Sequence, residues 1–199
     1  MGRLILIKHA SPQVTPAVPA REWTLSDKGR GESAVLAERI RRHNVEIDIT
    51  SDEPKAVETG RIVAEILGVP ARSAPGLHEH DRSNVPHMPT REFISSVALM
   101  FQKPEELVLG RETARQALDR FRAGLDSVLG EASNRSVAVV THGTVLALFA
   151  ASYLRAEPFQ LWRRLGLPSF IAFETPSMRA IESVERVEGQ AIAEHNNLS

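Results

Sequence analysis

Ser136-Val137-Ala138-Val139-Val140-Thr141-His142-Gly143 is a short apolar run that breaks abruptly into Thr, His and Gly. Its branched residues show no polar alternation, which marks a strand covered on both faces, as in the interior of a parallel sheet. A second stretch has the same grammar: Leu4-Ile5-Leu6-Ile7, then Lys8, His9 and Ala10. In each, one polar residue and a histidine follow the strand, and a small residue then lets the chain turn tightly. Reading outward from these two strands, helices and strands alternate. Residues 136–140 lead into an apolar, buried helix over Gly143–Leu154. Residues 112–129 form an amphipathic helix with Ala114, Ala117, Leu118, Phe121, Leu125 and Val128 on one face.

On the other side of the first strand, residues 11–19 hold three prolines and read as a loop. Ser26 or Asp27 then caps a helix carrying Ala34, Val35, Ala37 and Ile40. Ile47–Thr50 is a strand, Pro54–Leu67 a helix opened by its proline and stopped by Gly68, and Ala71–Ser73 a third strand. Between 75 and 110, prolines at 75, 86, 89 and 104 bracket one helical stretch, 91–101. Residues 170–173 and 180–187 finish as strands, antiparallel at an edge, and the tail after Gly189 is expected to fray. The pattern predicts an α/β fold: a three-layer α/β/α domain with a mainly parallel central sheet. Residues 1–199 are expected to form one domain, with 80–110 as a small cap excursion within it.

Composition excludes several classes. With 42% apolar and 25% charged residues the 199-residue chain is of average globular make-up, not disordered. Its 24 basic and 25 acidic residues leave a net charge of −1, so no global field attracts nucleic acid or an anionic membrane. With no cysteine there is no disulfide framework, thiol nucleophile or thiolate metal site. The apolar run 4–7 is too short for a signal-peptide core, and the expected location is the cytoplasm.

Ligands of open α/β sheets gather beyond the carboxyl ends of the strands, where both histidines would share one rim. Lys55 adds a cation in the first turn of a helix, where the backbone already favours an anion and a lysine opposes the dipole unless an anion is bound. His78-Glu79-His80-Asp81 with His87 has the residue types of a metal cluster, but not the His-x-His-x-Asp-His order of binuclear hydrolases, so solvated loop histidines are the expectation. Arg39, Arg41, Arg42 and His43 complement the end of a helix dipole rather than forming a nucleic-acid patch. Gly29-Arg30-Gly31 lacks the Gly-Lys-Ser/Thr ending of a phosphate loop.

Taken in order, these segments resemble the histidine phosphatase superfamily, the phosphoglycerate-mutase-like phosphatases. Lys8-His9-Ala10 stands at the Arg-His-Gly strand end, and Leu25-Ser26-Asp27-Lys28-Gly29 at the Leu-Thr-x-x-Gly helix entry. Residues 51–60 stand at the Ser-x-x-x-Arg-Ala-x-x-Thr-Ala segment, with Lys55 at the arginine. Leu77-His78-Glu79 matches the Leu-x-Glu acid loop, Gly110-Arg111-Glu112-Thr113 the Gly-x-Glu-Ser helix start, and Thr141-His142-Gly143 the Ser/Thr-His-Gly strand end.

The resemblance implies a cofactor-free, metal-independent phosphomonoester hydrolase acting on a small phosphorylated metabolite. His9 would be the nucleophile, giving a phosphohistidine; His142 would donate to a phosphoryl oxygen; Glu79 would be the general acid and base. Lys8, Lys55, Thr15 and Gly143 would bind the phosphate, with no metal site. Both motif arginines are lysines here, which keeps the charge but loses the planar fork. Two other readings stay open: a phosphoglycerate-type mutase, and a catalytically weakened phospholigand-binding protein. The implied partner is the small phosphorylated substrate, with no nucleic acid and no membrane; a homodimer is left open. In the cap, Arg82, Arg91 and Lys103 offer charge, while Met88, Phe93, Met100 and Phe101 are expected to line its inner face.

Overall fold

The fold is described from a computed structural model covering residues 2–86 and 88–188. Strands β1 (Arg3–Lys8), β2 (Ile47–Thr50), β3 (Ala71–Ser73), β4 (Val137–Thr141), β5 (Ser169–Glu174) and β6 (Arg179–Val184) form one sheet in the order β3-β2-β4-β1-β5-β6. The first four are mutually parallel, and β5 and β6 close one edge antiparallel. Among the described residues the α-helices are α1 (Asp27–Ile40), α2 (Pro54–Leu67), α3 (Thr90–Gln102), α4 (Ala114–Ala132), α5 (Gly143–Leu154) and α6 (Pro158–Arg164).

Strand alternation divides the core into two layers. Leu4, Leu6, Val137, Val139, Ile171 and Phe173 face α4 and α5, whose Phe121, Leu125, Leu146 and Ala150 belong to the same buried cluster. Ile5, Ile7, Ala138, Val140 and Phe170 face the other way, toward Leu36 and Ile40 of α1 and Ala56 and Val63 of α2. Every side of β1 and β4 is thus covered, which is why neither strand shows polar alternation. This is the expected three-layer arrangement. Among the described residues, no helix is long and apolar enough to cross a membrane.

Several boundaries differ from expectation for identifiable reasons. Of the two expected caps of α1, it is Ser26 that serves, its side chain accepting from Gly29 N. Helix α4 begins at Ala114 rather than 112 because Thr113 and Gln116 close a reciprocal capping box. It runs on to Ala132, three residues past the expected end. The last strand is Arg179–Val184, shorter than 180–187, because the chain leaves β6 to hydrogen-bond elsewhere: Val187 N donates to Pro168 O. Helix α6 has no counterpart in the sequence reading. Its signal is local, an N-cap Glu157 accepting from Phe159 N and Gln160 N, with Pro158 at the first turn.

The basic run at the end of α1 is tied to β6: Glu182 pairs with Arg42, and with His43 at 2.9 Å. In the excursion, Met100 and Phe101 of α3 are buried in the same cluster as α4 and α5, and Phe93 and Met88 lie partly buried against it. Phe93 and Phe101 meet Trp162 and Phe159 of α6. The expectations for His87 and for the tail after Gly189 lie outside the described residues.

Candidate active site

Register puts the two histidines side by side. Lys8 pairs with Thr141 across β1 and β4, so His9 and His142 are the next residues at the same sheet edge. His9 N donates to Thr141 O at 3.1 Å, and the imidazole centroids lie 5.2 Å apart. His9 Nδ1 lies 2.7 Å from Ala10 O. A carbonyl only accepts, so Nδ1 carries the proton and Nε2 keeps the lone pair. Burial above all, then the neighbouring His142 and Lys55, hold the His9 pKa well below its ordinary value. The ring is therefore a neutral base at physiological pH.

His142 is also almost wholly buried. Its Nε2 is 2.7 Å from Ser51 Oγ, and its Nδ1 has no protein partner. Burial and the Lys55 charge keep its pKa low, against the opposing pull of Glu79. Ser51 is held in turn by its backbone, Ser51 N donating to Val140 O at 2.9 Å.

The turn from β2 into α2 brings in Glu53 and Lys55. Lys55 is only 6% exposed, so it is not a solvated surface lysine. Its Nζ donates to Glu53 Oε2 at 2.5 Å and to Ala20 O at 2.8 Å. Glu53 Oε1 accepts from Glu79 N at 2.9 Å and lies 3.5 Å from His142 Nε2. Thr59, one turn along α2, accepts from Ala10 N at 3.1 Å and so ties the helix to the residue after His9.

Glu79 sits over the N-terminus of α5, accepting from Thr144 N at 3.1 Å, while His80 N donates to its other oxygen at 2.8 Å. Burial pushes its pKa up, but the Arg82 guanidinium, His142 and the two N–H groups more than offset this and hold it far below the usual carboxylate range. Its loop is clamped from behind. Arg120 donates to the carbonyls of Gly76, His78 and Glu79, and Glu112 accepts from both Arg120 and Asp81 N. The Gly110–Thr113 motif thus holds the acid loop in place. His80 belongs to the same clamp, its Nε2 lying 2.7 Å from Glu112 O.

His9, Lys55, Glu79 and His142 line one cavity of about 820 Å³. Lys8 and Gly143 are not among its lining residues. Lys8 Nζ donates to Leu165 O at 2.6 Å, and a Cβ on Gly143 would come within 3.0 Å of the Lys8 stem. A side chain there would crowd the Lys8 stem, so the glycine lets α5 start close against it. Burial lowers the Lys8 pKa to about 8, with Glu79 opposing and Arg186 reinforcing the shift. Thr15 is exposed and is not among the lining residues, although Pro16 beside it is; its carbonyl accepts from Trp23 Nε1 at 3.1 Å.

Glu53 escaped the sequence reading, while Ser51 and Thr59 were read as motif positions but given no role as partners of His142 and of the residue after His9. An acid directly before Pro54 reads as an ordinary helix start, so nothing in the sequence distinguished Glu53. Arg82 was read only as a cap charge. In the structure it lines the cavity, with Nη2 3.3 Å from Glu79 Oε2.

The chain belongs to the histidine phosphatase superfamily, branch 1, whose family model matches residues 4–186. It is similar to a probable phosphoglycerate mutase, GpmB, of Yersinia enterocolitica, at 27% identity over 72% of this chain and 68% of that protein. Among solved structures, it is similar in fold to a mycobacterial glucosyl-3-phosphoglycerate phosphatase, with a TM-score of 0.72 and 16% identity over 94% of this chain and 99% of that one. It is also similar to a phosphoserine phosphatase of Entamoeba histolytica in complex with 3-phosphoglyceric acid, with a TM-score of 0.73 and 15% identity over 96% of this chain and 98% of that one.

Proposed function

We propose that this protein hydrolyses a small phosphomonoester through a phosphohistidine on His9. The observation that carries the reading is the His9 Nδ1 to Ala10 O bond, which leaves Nε2 as the basic nitrogen of a buried neutral ring. Nε2 attacks phosphorus, the P–O ester bond breaks, and the leaving alkoxide takes a proton from Glu79. Water then attacks the phosphohistidine, giving Glu79 back its proton and releasing inorganic phosphate. A phosphate dianion against Glu79 and His142 raises both pKa values, the direction that the acid role of Glu79 and the donor role of His142 require. Membership of the superfamily supports the reaction class. The named substrates of the similar structures, phosphorylated three-carbon acids among them, support a small metabolite. Residues 1–199 are taken as one domain with 80–110 as its cap, a reading supported by the shared cluster of α3, α4 and α5.

The test is a quench after brief incubation with a labelled phosphate monoester drawn from a panel of phosphorylated metabolites. Acid-labile, base-stable label should appear on His9 and vanish in His9→Ala. Label on a serine, or turnover with no labelled intermediate, overturns the nucleophile. No turnover across the panel, with phosphate still bound, selects the weakened-binder reading, to which the pairing of Lys55 with Glu53 lends support. The similarity to a probable mutase favours one further reading. With 3-phosphoglycerate and a trace of its 2,3-bisphosphate, inorganic phosphate should be the main product; rapid 2-phosphoglycerate formation would make the mutase reading primary.

A further inference from the structure

The two lysines at the motif positions are both engaged by the protein itself. Lys8 Nζ is held by Leu165 O and does not line the cavity, and Lys55 Nζ is held by Glu53 and Ala20 O. Glu53 and Glu79 meanwhile present two carboxyl groups to the same cavity. A phosphoryl dianion entering between His9 and His142 therefore needs a cation that these lysines do not offer freely.

Arg82 meets that need. It lines the cavity with both histidines and Glu79, three residues after the acid. Its Nη2 rests 3.3 Å from Glu79 Oε2, while Nη1 is buried and has no protein hydrogen-bond partner. The guanidinium lies over the Phe93 ring, its carbon 5.1 Å from the centroid, a contact that favours holding the group there. The backbone beneath it is pinned: Arg111 N donates to Asp81 O at 2.8 Å, Ser83 N to Asp81 Oδ1 and Val85 N to Arg82 O at 2.9 Å each. Gly110, at φ +80°, permits this closeness, since a Cβ there would lie 2.1 Å from Asp81 O. A buried N–H without a partner is costly, and a pre-oriented planar fork is the group best matched to two phosphate oxygens.

We propose that Arg82 is a phosphate-binding residue of this site, its guanidinium supplying from the cap loop the fork that lysines at positions 8 and 55 lack. This rests on the phosphatase reading above. The dianion is shared between Nη1 and His142, with Nη2 keeping the Glu79 carboxyl beside the leaving oxygen.

The deciding experiment measures inorganic phosphate binding by calorimetry, because phosphate has no leaving group and binding needs no turnover. Arg82→Ala should weaken phosphate by roughly ten- to a hundredfold, the worth of one charge-assisted bond, and Arg82→Lys should fall between it and wild type. Phosphate affinity within twofold of wild type in Arg82→Ala overturns the proposal. So does a defect confined to substrates whose leaving group bears a carboxylate, which would place the guanidinium on the alcohol. If Arg82→Ala loses its cooperative melt, Arg82→Gln is read instead with the same expectations. Absence of phospho-His9 in a wild type that turns over, with normal sensitivity of phosphate binding to Arg82, would overturn the nucleophile and leave this assignment standing.

Discussion

Lys55 and Glu53 form an ion pair 2.5 Å long in the wall of the cavity, both less than one-tenth exposed. The carboxylate thus occupies the very ammonium that the family motif assigns to phosphate. An incoming dianion competes with Glu53 for it, and Glu53 repels the dianion in addition.

Glu53→Gln should therefore strengthen inhibition by inorganic phosphate, by roughly ten- to a hundredfold if one charge-assisted bond worth roughly 1.5–3 kcal/mol is released to the ligand. It should lower thermal stability at the same time, since removing one partner of a buried pair leaves the other uncompensated. Inhibition and melting curves on the same preparation check both. Phosphate inhibition that weakens in Glu53→Gln would mean that Glu53 orients Lys55 for the ligand instead of withholding it.

Lys8 predicts an alkaline limit to activity. Its pKa is lowered to about 8, chiefly by burial, so its charge is present below that pH and lost above it. Lys8 does not line the cavity, but its charge reaches His9 through space and favours an anion there, so kcat/KM should decline as pH rises through about 8. Lys8→Arg keeps its charge at any accessible pH and should carry the plateau to higher pH. A decline that persists unchanged in Lys8→Arg assigns the limb to another group.

Glu79→Gln separates acid catalysis from binding. A leaving alkoxide of high pKa needs a proton in the transition state, whereas an aryl oxide leaves without one. The substitution should slow alkyl phosphates by about a hundredfold or more and aryl phosphates far less. Rates on a paired alkyl and aryl series give the comparison. Equal slowing of both would move the acid elsewhere, with Asp81, also on the cavity wall, as the next group to substitute.

What could be read in advance follows from where the information lies along the chain. His9 and His142 were legible because each ends an uninterrupted apolar strand, and parallel pairing of those strands brings them to one rim. Glu79 and Lys55 were legible through motif order. Lys8 was placed in the pocket by the same motif, yet its ammonium turns to a carbonyl of Leu165, more than a hundred and fifty positions away, a contact that no local pattern encodes. Glu53 and Arg82 act through partners distant in sequence or set by the turns of one loop, and short polar segments carry no periodicity from which to place them. Helix α6 was missed because seven residues give too little amphipathic pattern, although Glu157-Pro158 marks its start.

Asp48 offers a test away from the chemistry. It lies on β2, fully buried, with both carboxyl oxygens lacking a protein partner, and Gly60 of α2 comes so close that a Cβ there would be 2.5 Å from Oδ1. Burial raises its pKa well above the ordinary 3.8. The folded state therefore holds this proton at pH values where the unfolded chain has released it. The sign follows: the group favours folding fully below 3.8, and that contribution is lost as pH rises toward the folded-state pKa. Each unit of elevation is worth about 1.4 kcal/mol. Asp48→Asn is isosteric and does not titrate, so it should be more stable than wild type at pH 8, with the gain shrinking steadily toward pH 4. Denaturant midpoints for both proteins across that range measure the difference directly. Two curves that stay parallel would show that the Asp48 carboxyl ionises as readily in the folded protein as in the unfolded chain.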